Sequence, residues 1–522
     1  MDRKRRLLFG NNVGARAAAS ASFSATLLST LVPQVYTGSS TPTFTRATTA
    51  YVTDFEVLLK KCLSGESRFA GARRVQNIVP NSEVSTGWSL NTITATAGQT
   101  DPLGGTTAFR LTATAASNNV MYATVSAPSG ATTGSVTWSI WAKRVTGSGT
   151  VRLAMNSGAQ GNATLSLTTS WQRFSVSNAA AISGGSVQLN VYVDTNADAI
   201  DVAFMLAEET TGQSNTNPSE YVSKGVLSAP YHGAGVDGVK YFTTQNGNTV
   251  ASNVVTEATG AAISSATLLG YLAEGARTNL CLQSQTFGTT WSVTSTTITA
   301  DSIAAPDGTT TADTVNITAG TTAKYILQGG LTVTNPNTFS VYAKAGTHAL
   351  VQLAENISAN RYVNFDLANG VVGSNGAGVT RSSIASVGNG WYRLEAVFNN
   401  ADATSVIVGV ISATTDTWAP GLSISTTGTF YLWGAQVENA AFASSYIPTT
   451  TVAVTRNADA LSYVFANNAS ATAGTVYVEP RIPAIGVTSS PFNSGSGQGM
   501  LLPNGQAQFF DCLLYTSDAA DE

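Results

Sequence analysis

The sequence predicts an all-β protein made of two tandem jelly-roll β-sandwich modules, each preceded by a short irregular β segment, plus the truncated start of a third β domain. Three observations lead to this prediction. Only 11% of the 522 residues are charged and 48 are glycines. Runs of Thr and Val separated by Gly and Asn are typical of strands and their turns, and helical runs of Leu, Glu and Lys are missing. The same short motifs also occur twice, in the same order.

The recurring motifs indicate that the chain contains two copies of one module. TWSIWAK at 137–143 corresponds to TFSVYAK at 338–344, and the strand WQRFSV at 171–176 corresponds to WYRLEAVF at 391–398. Around them the aligned landmarks are Asn77 with Asn279, Trp88 with Trp291 and Tyr221 with Tyr446. A repeat this long predicts modules that each have their own core, rather than a solenoid of short repeats.

Turns rich in Gly, Asn, Asp and Pro indicate the boundaries along the chain. In order, we predict an N-terminal arm at 1–32, a connecting β segment at 33–74, the first jelly-roll module at 75–225, a second connecting β segment at 226–277, the second module at 278–452 and the start of a third, truncated β domain at 453–510. Each connecting segment is rich in Tyr, Phe or Leu, so we expect it to dock on the sandwich that follows. Residues 511–522, which include CLLYTSDAADE, resemble the translation of a sequencing adapter in a metagenomic fragment and are expected to be an artefact.

Composition and charge argue against several classes of function. The net charge of −4, from 26 basic and 30 acidic residues, does not favour a nucleic-acid partner. No apolar stretch approaches the ~18 residues of a membrane span, so no membrane insertion is expected. The N-terminal MDRKRR is followed by Asn11, Asn12 and Arg16, which interrupt the apolar core that a signal peptide needs. Cys62, Cys281 and Cys512 lie far apart, which predicts neither a disulfide framework nor a zinc site.

The sequence also lacks a recognisable catalytic motif. It contains no GxSxG, HExxH or Gly-rich phosphate loop, and only two histidines. Paired carboxylates for glycoside hydrolysis stay open as an alternative, because such pairs meet only in space. In APDGTTTAD, Asp307 and Asp313 are weak candidates for calcium ligands because their spacing is loose. The expectation is a protein that is not an enzyme and has no cofactor other than this weak calcium candidate.

A set of motifs resembles a known family. Their joint order resembles the carbohydrate-binding-module-like sandwiches of tailed bacteriophage tail and tail-fibre proteins, closely over 240–460 and more loosely over 33–225. The motifs are EGARTNL (274–280), APDGTTTAD (305–313), TFSVYAKAG (338–346), VGNGWYR (387–393), YLWGAQVE (431–438), SSYIPTT (444–450) and VTRNAD (454–459). In this family a laminin-G or concanavalin-like sandwich often follows, which fits TVYVEP at 475–480.

The resemblance implies a place and partners for the protein. It implies a virion protein of the phage tail, made in the bacterial host cytoplasm and extracellular once assembled. Other virion tail proteins would be its partners, and a homotrimer follows only by analogy with fibres. The first copy departs from the pattern, since SEYVSKG stands where the second has SSYIPTT. A ligand site carried over from the family to the first copy is therefore in doubt.

Period-two alternation assigns the strand faces from the residues themselves. It places Val136, Trp138, Ile140 and Ala142 in the core of the first copy, and Phe339, Val341 and Ala343 in the core of the second. The opposite faces, read together with neighbouring strands, supply the glycan-binding candidates, because rings stack on pyranoses while amides and charges bond hydroxyls. These candidates are Trp141, Lys143, Arg152, Gln188, Asn190 and Tyr192 in the first copy, which we expect to share one sheet face, and Tyr342, Lys344 and Gln352 in the second.

An alternative for the same face stays open. The preceding segment can cover it, in which case Trp141 and Tyr342 form a second small core. The other landmark tryptophans, Trp88, Trp171, Trp291, Trp391 and Trp433, are expected to be packing residues. We also note that SVIVGVI presents Ile407 and Ile411 where the first copy has polar groups.

The expected function is that of a non-enzymatic phage tail or tail-fibre protein whose modules bind cell-surface or environmental carbohydrate. Several copies per virion would compensate for weak single sites. Two alternatives remain at this stage. One is a structural virion spacer that binds only protein neighbours, and the other is the non-catalytic part of a polysaccharide depolymerase whose catalytic domain lies outside the sequence.

Overall fold

The computed structural model describes residues 43–126, 134–178, 186–213 and 270–462, except 55, 72, 84, 103, 357–359 and 400–402, together with Thr216, Pro218, Tyr221 and several short strands elsewhere. These residues form β-strands and two short 3-10 helices, at Asn156–Gly158 and Ala419–Gly421. No helix in this part of the chain is long and apolar enough to span a membrane. The predicted all-β fold class is confirmed.

The first sandwich consists of two antiparallel five-stranded sheets. Sheet 1A has the order β10-β11-β18-β13-β16 and sheet 1B has the order β15-β14-β17-β12-β9. Among the described residues the strands up to this point are β1 (Arg6–Gly10), β2 (Phe23–Thr26), β3 (Val35–Thr37), β4 (Thr43–Thr45), β5 (Ala50–Thr53), β6 (Leu59–Cys62), β7 (Arg68–Ala70), β8 (Arg73–Asn77), β9 (Ser89–Asn91), β10 (Ile93–Gln99), β11 (Ala108–Ala113), β12 (Val120–Ser126), β13 (Val136–Thr146), β14 (Val151–Met155), β15 (Gly161–Thr164), β16 (Gln172–Ser177), β17 (Ser186–Val193) and β18 (Ala199–Glu209).

The second sandwich repeats this arrangement with six strands in each sheet. Sheet 2A has the order β25-β26-β35-β28-β33-β32 and sheet 2B has the order β24-β27-β34-β29-β30-β31. The remaining strands are β19 (Gly225–Ala229), β20 (Tyr241–Thr243), β21 (Thr249–Ala251), β22 (Gly270–Leu272), β23 (Arg277–Asn279), β24 (Ser292–Thr294), β25 (Thr296–Ile303), β26 (Ala312–Ile317), β27 (Tyr325–Gln328), β28 (Asn337–Ala345), β29 (Leu350–Glu355), β30 (Tyr362–Asp366), β31 (Val371–Asn375), β32 (Val379–Ser386), β33 (Trp391–Phe398), β34 (Val406–Val410), β35 (Gly428–Glu438), β36 (Val454–Arg456), β37 (Ala460–Ser462), β38 (Thr475–Tyr477), β39 (Phe492–Asn493), β40 (Gly499–Leu501) and β41 (Gln508–Phe510).

Some predicted segments fall outside the described residues. These are 511–522, most of the N-terminal arm and of 33–42, and 230–240, 244–248 and 252–269 of the second connecting segment. Beyond Ser462, only short strands of the predicted third domain are described.

Each sandwich has its own apolar core between its two sheets. The residues that alternation assigned to the interior are buried there, and the largest of them, Trp138 and Phe339, have no exposed surface. Trp88 stacks on Trp138 in the first core and Trp291 packs on Phe287 in the second. The period-two assignment of the core is therefore confirmed in both copies.

The landmark asparagines tie the start of each module to its last long strand. The Asn279 side-chain amide donates to the carbonyls of Ala435 (3.0 Å) and Ile447 (2.8 Å). Its carbonyl oxygen accepts from the N–H groups of Cys281 and Val437, both at 3.0 Å. Asn77 makes the corresponding bonds in the first copy, to Met205, Val79 and Ala207. Each asparagine side chain thus bonds backbone N–H and C=O groups that have no partner in a β-ladder.

The connecting segment does not dock only where the sequence predicted. β4 pairs with β37 and β7 pairs with β22, so residues 43–71 lie against the flanks of the second module, not only beside the first. The Tyr51 ring packs 5.5 Å from the Tyr446 ring, centroid to centroid. The expectation that each segment docks on the sandwich that follows it is thus incomplete for 43–71, which touches the first module through the Lys60–Thr211 bond but also packs against the second.

Buried charges explain this docking. Arg46 bonds Asp459 at 2.7 Å, and Arg68 bonds both Asp459 and, at 2.9 Å, Glu274. Arg456 lies 3.3 Å from Glu274. The arginines and Asp459 are almost fully buried, so each charge requires its partner, and removing one costs about 3–5 kcal/mol. Among the described residues, the carboxylates that pair with Arg46 and Arg68 are Asp459 and Glu274, which flank the second module, so these ion pairs direct the path of the chain.

Replacing Asn279 by Ala should destabilise the protein, because it leaves four buried backbone groups without partners. We expect the free energy of unfolding to fall by at least about 1–3 kcal/mol, measured by chemical denaturation. Asn316→Ala, which removes only exposed side-chain bonds of β26 to β25, is the matched control. Equal stability of the two variants would contradict the proposed role of Asn279.

The charge cluster should make stability depend on acid pH. Burial alone would raise the Glu274 pKa, but Arg68, Arg456 and hydrogen bonds from Ser445 outweigh it and bring the pKa to about 2. Since the folded pKa lies below the ordinary 4.5, Glu274 stabilises the fold above about pH 4.5, and this contribution is lost as the pH falls towards 2. We expect the melting temperature to fall less over this window in Glu274→Gln than in the native chain. Equal pH dependence would contradict the assignment, and Glu56→Gln serves as a control.

Candidate functional site

The structure divides the predicted glycan face between two sheets. Trp141 and Lys143 lie on β13 in sheet 1A, whereas β14 and β17 of sheet 1B carry the other four candidates of the first copy, Arg152, Gln188, Asn190 and Tyr192. The two sheets pack face to face, so their outer sides point in opposite directions. The prediction that all six residues share one sheet face is therefore wrong.

Two of the three aromatic glycan candidates, those on the repeated TWSIWAK-type strand, are buried. Trp141 is 3% exposed and packs with Phe204 and Tyr221, while Tyr342 is 2% exposed. The Tyr342 ring lies 5.4 Å from Trp433, measured between centroids, in a cluster with Tyr51 and other apolar residues. Their assignment as glycan platforms is wrong, and the alternative of a second small core describes both. The physical reason is cover from residues distant in sequence, Tyr221 in one module and Tyr446 in the other.

The two lysines of the repeated motif differ in their surroundings. Lys143 Nζ lies 3.5 Å from Asp201 and 5.0 Å from the centroid of the Trp171 ring. Lys344 is half-buried and lines a cavity of about 230 Å³ together with Trp391 and Tyr431. Lys143 therefore has an internal partner, whereas Lys344 borders open space.

The outer side of sheet 1B keeps three of the predicted residues accessible. The Arg152 guanidinium donates to both carboxylate oxygens of Asp194, at 2.8 and 3.0 Å, and lies 4.5 Å from the centroid of the Tyr192 ring. The hydrogen bond with Asp194 raises the pKa of Arg152. Gln188 and Tyr192 are half-buried. The result is a stacked and ion-paired row of polar and aromatic groups that is fixed in place before any ligand arrives.

Asn190 lies on this side but is not available to a ligand. It is 1% exposed, and its amide donates to the carbonyls of Gln188 (3.2 Å) and Ala154 (3.4 Å). The prediction that Asn190 contacts glycan is therefore wrong. Its amide joins neighbouring strands beneath the larger side chains.

Sequence reasoning missed Tyr122 on the same side. In β12, Met121, Ala123 and Val125 point into the core, so Tyr122 and Thr124 point outwards. Tyr122 pairs with Asn190 across the ladder and stands diagonal to Tyr192. The alternation of core and outward residues in VMYATVS (120–126) could have identified Tyr122 from the sequence. We call the outward set Tyr122, Thr124, Arg152, Gln188, Tyr192 and Asp194 the 1B face.

The equivalent side of sheet 2B is covered by the chain itself. Gln352, which stands where the first copy has Arg152 in the strand register, is fully buried. Its side chain donates to the Thr417 carbonyl (2.9 Å) and accepts from the Ala419 N–H (2.7 Å). Asn364 beside it donates to the carbonyls of Thr414 and Asp416. The prediction that Gln352 binds glycan is wrong, because the loop 411–427 already occupies its polar atoms.

A glycine makes this covering loop possible. Gly409 stands where the first copy has Tyr192, and a Cβ there would lie 2.4 Å from Ala419 Cβ. The first copy has a tyrosine at this position and only residues 194–198 between the equivalent strands. The same strand pair is therefore closed in one module and accessible in the other.

The calcium candidates make hydrogen bonds within the chain. Asp307 accepts from the N–H and the hydroxyl of Thr309, and Asp313 accepts from the N–H groups of Phe287 and Asp301. Burial raises the pKa of both carboxyls. Among the described residues, no group of three or more His, Cys, Asp or Glu side chains is placed to hold a metal ion. Calcium binding stays a prediction.

Comparisons with known proteins give similarity at the level of structure. No family model matches the chain, and no curated protein sequence matches it. The tandem CBM22-1–CBM22-2 domain of Paenibacillus barcinonensis Xyn10C is 12% identical, covers 71% of this chain and 98% of its own, with a TM-score of 0.21. Its CBM22-1 xylan-binding domain alone is 17% identical and covers 26% of this chain and 95% of its own, also with a TM-score of 0.21.

A phage protein is also among the structural neighbours. The enzymatically active domain of bacteriophage CBA120 tailspike protein 4 is 13% identical over 26% of this chain, with a TM-score of 0.21. The match spans 21% of that tailspike chain. The structural neighbours thus include carbohydrate-binding modules with β-sandwich folds, and at this level of identity the likeness concerns the fold alone.

Gly409→Ala should disturb the covering loop, because its Cβ would overlap Ala419. We expect the free energy of unfolding to fall by about 1–3 kcal/mol, measured by denaturant titration. Gly329→Ala is the matched control, since its Cβ would meet only Leu327, at 3.7 Å. If both variants were as stable as the native chain, the loop would not pack on Gly409 as described.

Proposed function

We propose that the chain is a non-enzymatic tail or tail-fibre protein of a bacteriophage whose first module binds a cell-surface or environmental carbohydrate through the 1B face. One observation carries the proposal. The 1B face presents half-exposed tyrosines beside a fixed Arg152–Asp194 pair, whereas the equivalent face of the second module is covered by residues 411–427. Carbohydrate binding is therefore assigned to one module of the two.

The chemistry of the 1B face suits sugar hydroxyls and ring faces. Tyr122 and Tyr192 offer flat apolar surface to the C–H face of a pyranose. Arg152 and Gln188 supply donors and Asp194 supplies acceptor oxygens, so hydroxyl groups can bond to both kinds of partner. Because Arg152 is already held by Asp194 and Tyr192, little side-chain entropy is lost on binding.

The virion role rests on a different observation. The ordered motifs from EGARTNL to VTRNAD support a place in a phage tail, extracellular once assembled, with other tail proteins as neighbours. Many copies on one particle would add avidity to a shallow single site. Sequencing the DNA around the coding region tests this role. Adjacent tail or capsid genes are the expected result, and genes for a secreted polysaccharide-degrading system would contradict it.

Tyr192→Ala and Tyr122→Ala should each weaken glycan binding about tenfold or more, since each removes an aromatic contact at the centre of the proposed site. The measurement is calorimetric titration of the full chain with a polysaccharide found on a bacterial glycan array. Tyr325→Ala is the matched control, because Tyr325 is half-buried on sheet 2B.

Three outcomes would contradict this proposal. If the array showed no bound glycan at all, the chain would be a structural spacer between virion proteins. If glycan bound equally to the native chain and to both tyrosine variants, the 1B face would not be the site. Release of sugar fragments during the titration would instead favour a depolymerase.

A further inference from the structure

A cavity of about 230 Å³ lies where the two modules and the first connecting segment meet. Its lining includes Leu58 of the connecting segment, Gly212 of the first module, and Lys344, Trp391 and Tyr431 of sheet 2A. It is separate from the 1B face, which lies on another sheet. The proposed glycan site of the first module therefore does not account for it.

Close contacts fix the walls of this cavity. Lys60 Nζ donates to the Thr211 carbonyl at 3.3 Å, and the Leu59 N–H donates to the Pro306 carbonyl at 3.0 Å. A Cβ on Gly212 would stand 2.5 Å from the Cα of Gly308, so the backbones of the two modules touch where only glycine fits. The cavity is a consequence of this packing rather than a gap between free surfaces.

Lys344 stands between two aromatic residues in the cavity wall. In the strand register it pairs with Trp391 on one side and with Tyr431 on the other. The indole N–H of Trp391 donates to the Ala304 carbonyl at 3.1 Å, which fixes the ring. Tyr431 is half-buried. Lys344 thus has two aromatic neighbours in the sheet, one of them with a fixed ring, at the edge of the cavity.

Comparison with the first module shows that, in the described part of the chain, Lys344 lacks a carboxylate partner. The equivalent lysine, Lys143, pairs across the ladder with Asp201 and bonds its carboxylate at 3.5 Å. In the second module Tyr431 occupies the position of Asp201, and Lys344 makes no ion pair or hydrogen bond with any described residue. The Asp201 carboxylate, which balances the charge of Lys143 in the first module, has no counterpart at the equivalent position beside Lys344. A cavity lies next to that position.

We infer that this junction cavity binds a carboxylate-bearing monosaccharide unit, such as a hexuronic acid residue. Its carboxylate would pair with the Lys344 ammonium as Asp201 pairs with Lys143, and its ring would lie against the half-buried Tyr431, because Trp391 is only 1% exposed and serves as a fixed wall. The volume is below the roughly 300–1,000 Å³ typical of pockets for drug-sized ligands, which fits one sugar unit better than a longer chain.

The test is a calorimetric titration of the full chain with short galacturonate oligomers and with the same oligomers after reduction of their carboxyl groups. We expect the acidic oligomers to bind, the reduced ones to bind at least about tenfold more weakly, and Lys344→Met to lose the difference. Lys344→Arg should retain it, because the positive charge remains. Lys61→Met, at a half-exposed lysine on β6, is the matched control.

Several results would overturn the inference. Equal binding of acidic and reduced oligomers, or unchanged binding in Lys344→Met, would exclude a carboxylate partner for Lys344. If a polyglutamate peptide bound as tightly as the galacturonate oligomers, the carboxylate that pairs with Lys344 would come from a protein and not from a sugar. If Lys344→Met did not fold, the acidic preference of the native chain at low and high salt would decide, because a partly exposed ion pair weakens with ionic strength.

Tyr192→Ala separates this site from the 1B face. The variant should keep the binding of galacturonate to the cavity even where it loses binding of a neutral glycan. Loss of both in Tyr192→Ala would mean that a single site, on the 1B face, binds both kinds of sugar, and the cavity would have no ligand of its own.

Discussion

A strand with apolar side chains on both faces is stable only when both faces are covered. This constraint explains why the second module has a covering loop and the first does not. In β34, Val406, Val408 and Val410 fill the core, while Ile407 points the other way and is equally buried. Leaving an isoleucine exposed instead of burying it costs roughly 1.5–3 kcal/mol. The covering loop 411–427 meets this requirement, and its polar backbone is in turn bonded by Gln352 and Asn364. The equivalent strand β17 alternates apolar and polar residues, so its outer side is stable in water.

The residues that recur in both copies form the scaffold, and the residues that differ between the copies change their surfaces. The asparagine, serine and tyrosine landmarks make matching hydrogen bonds in both copies, for example Ser82 with Tyr221 and Ser284 with Tyr446. The arginine of the Trp-x-Arg strand also bonds the serine of the TWSIWAK-type strand in each. The structural differences on which the two binding proposals rest lie instead at unmatched positions, Tyr192 against Gly409 and Asp201 against Tyr431.

Much of the scaffold could be predicted because its signals are local. Alternation along single strands was enough to place Trp138 and Phe339 in the cores, and the repeat was enough to identify two sandwiches. The cover over Trp141 and Tyr342 could not be predicted in the same way, because it comes from Tyr221 and Tyr446, far along the chain. Alternation gives a side chain's face within its own strand but not the sheet to which that strand belongs.

The candidate site shows the same limit. Arg152, Gln188 and Tyr192 were found because they alternate with core residues, but grouping them with Trp141 required the sheet order, which is non-local. Ile407 and Ile411 did carry a usable signal. Apolar residues on the outer side of a strand indicate a covering segment, and the long stretch between β34 and β35 could supply one.

The central claim is that one sandwich face is accessible to ligand while its counterpart is closed. Hydrogen–deuterium exchange of the full chain, with and without a saturating neutral glycan, tests it most directly. We expect slower exchange on binding in 120–126, 151–155 and 186–193, with unchanged exchange in 350–355 and 406–410. Protection confined to those second-module strands would contradict it.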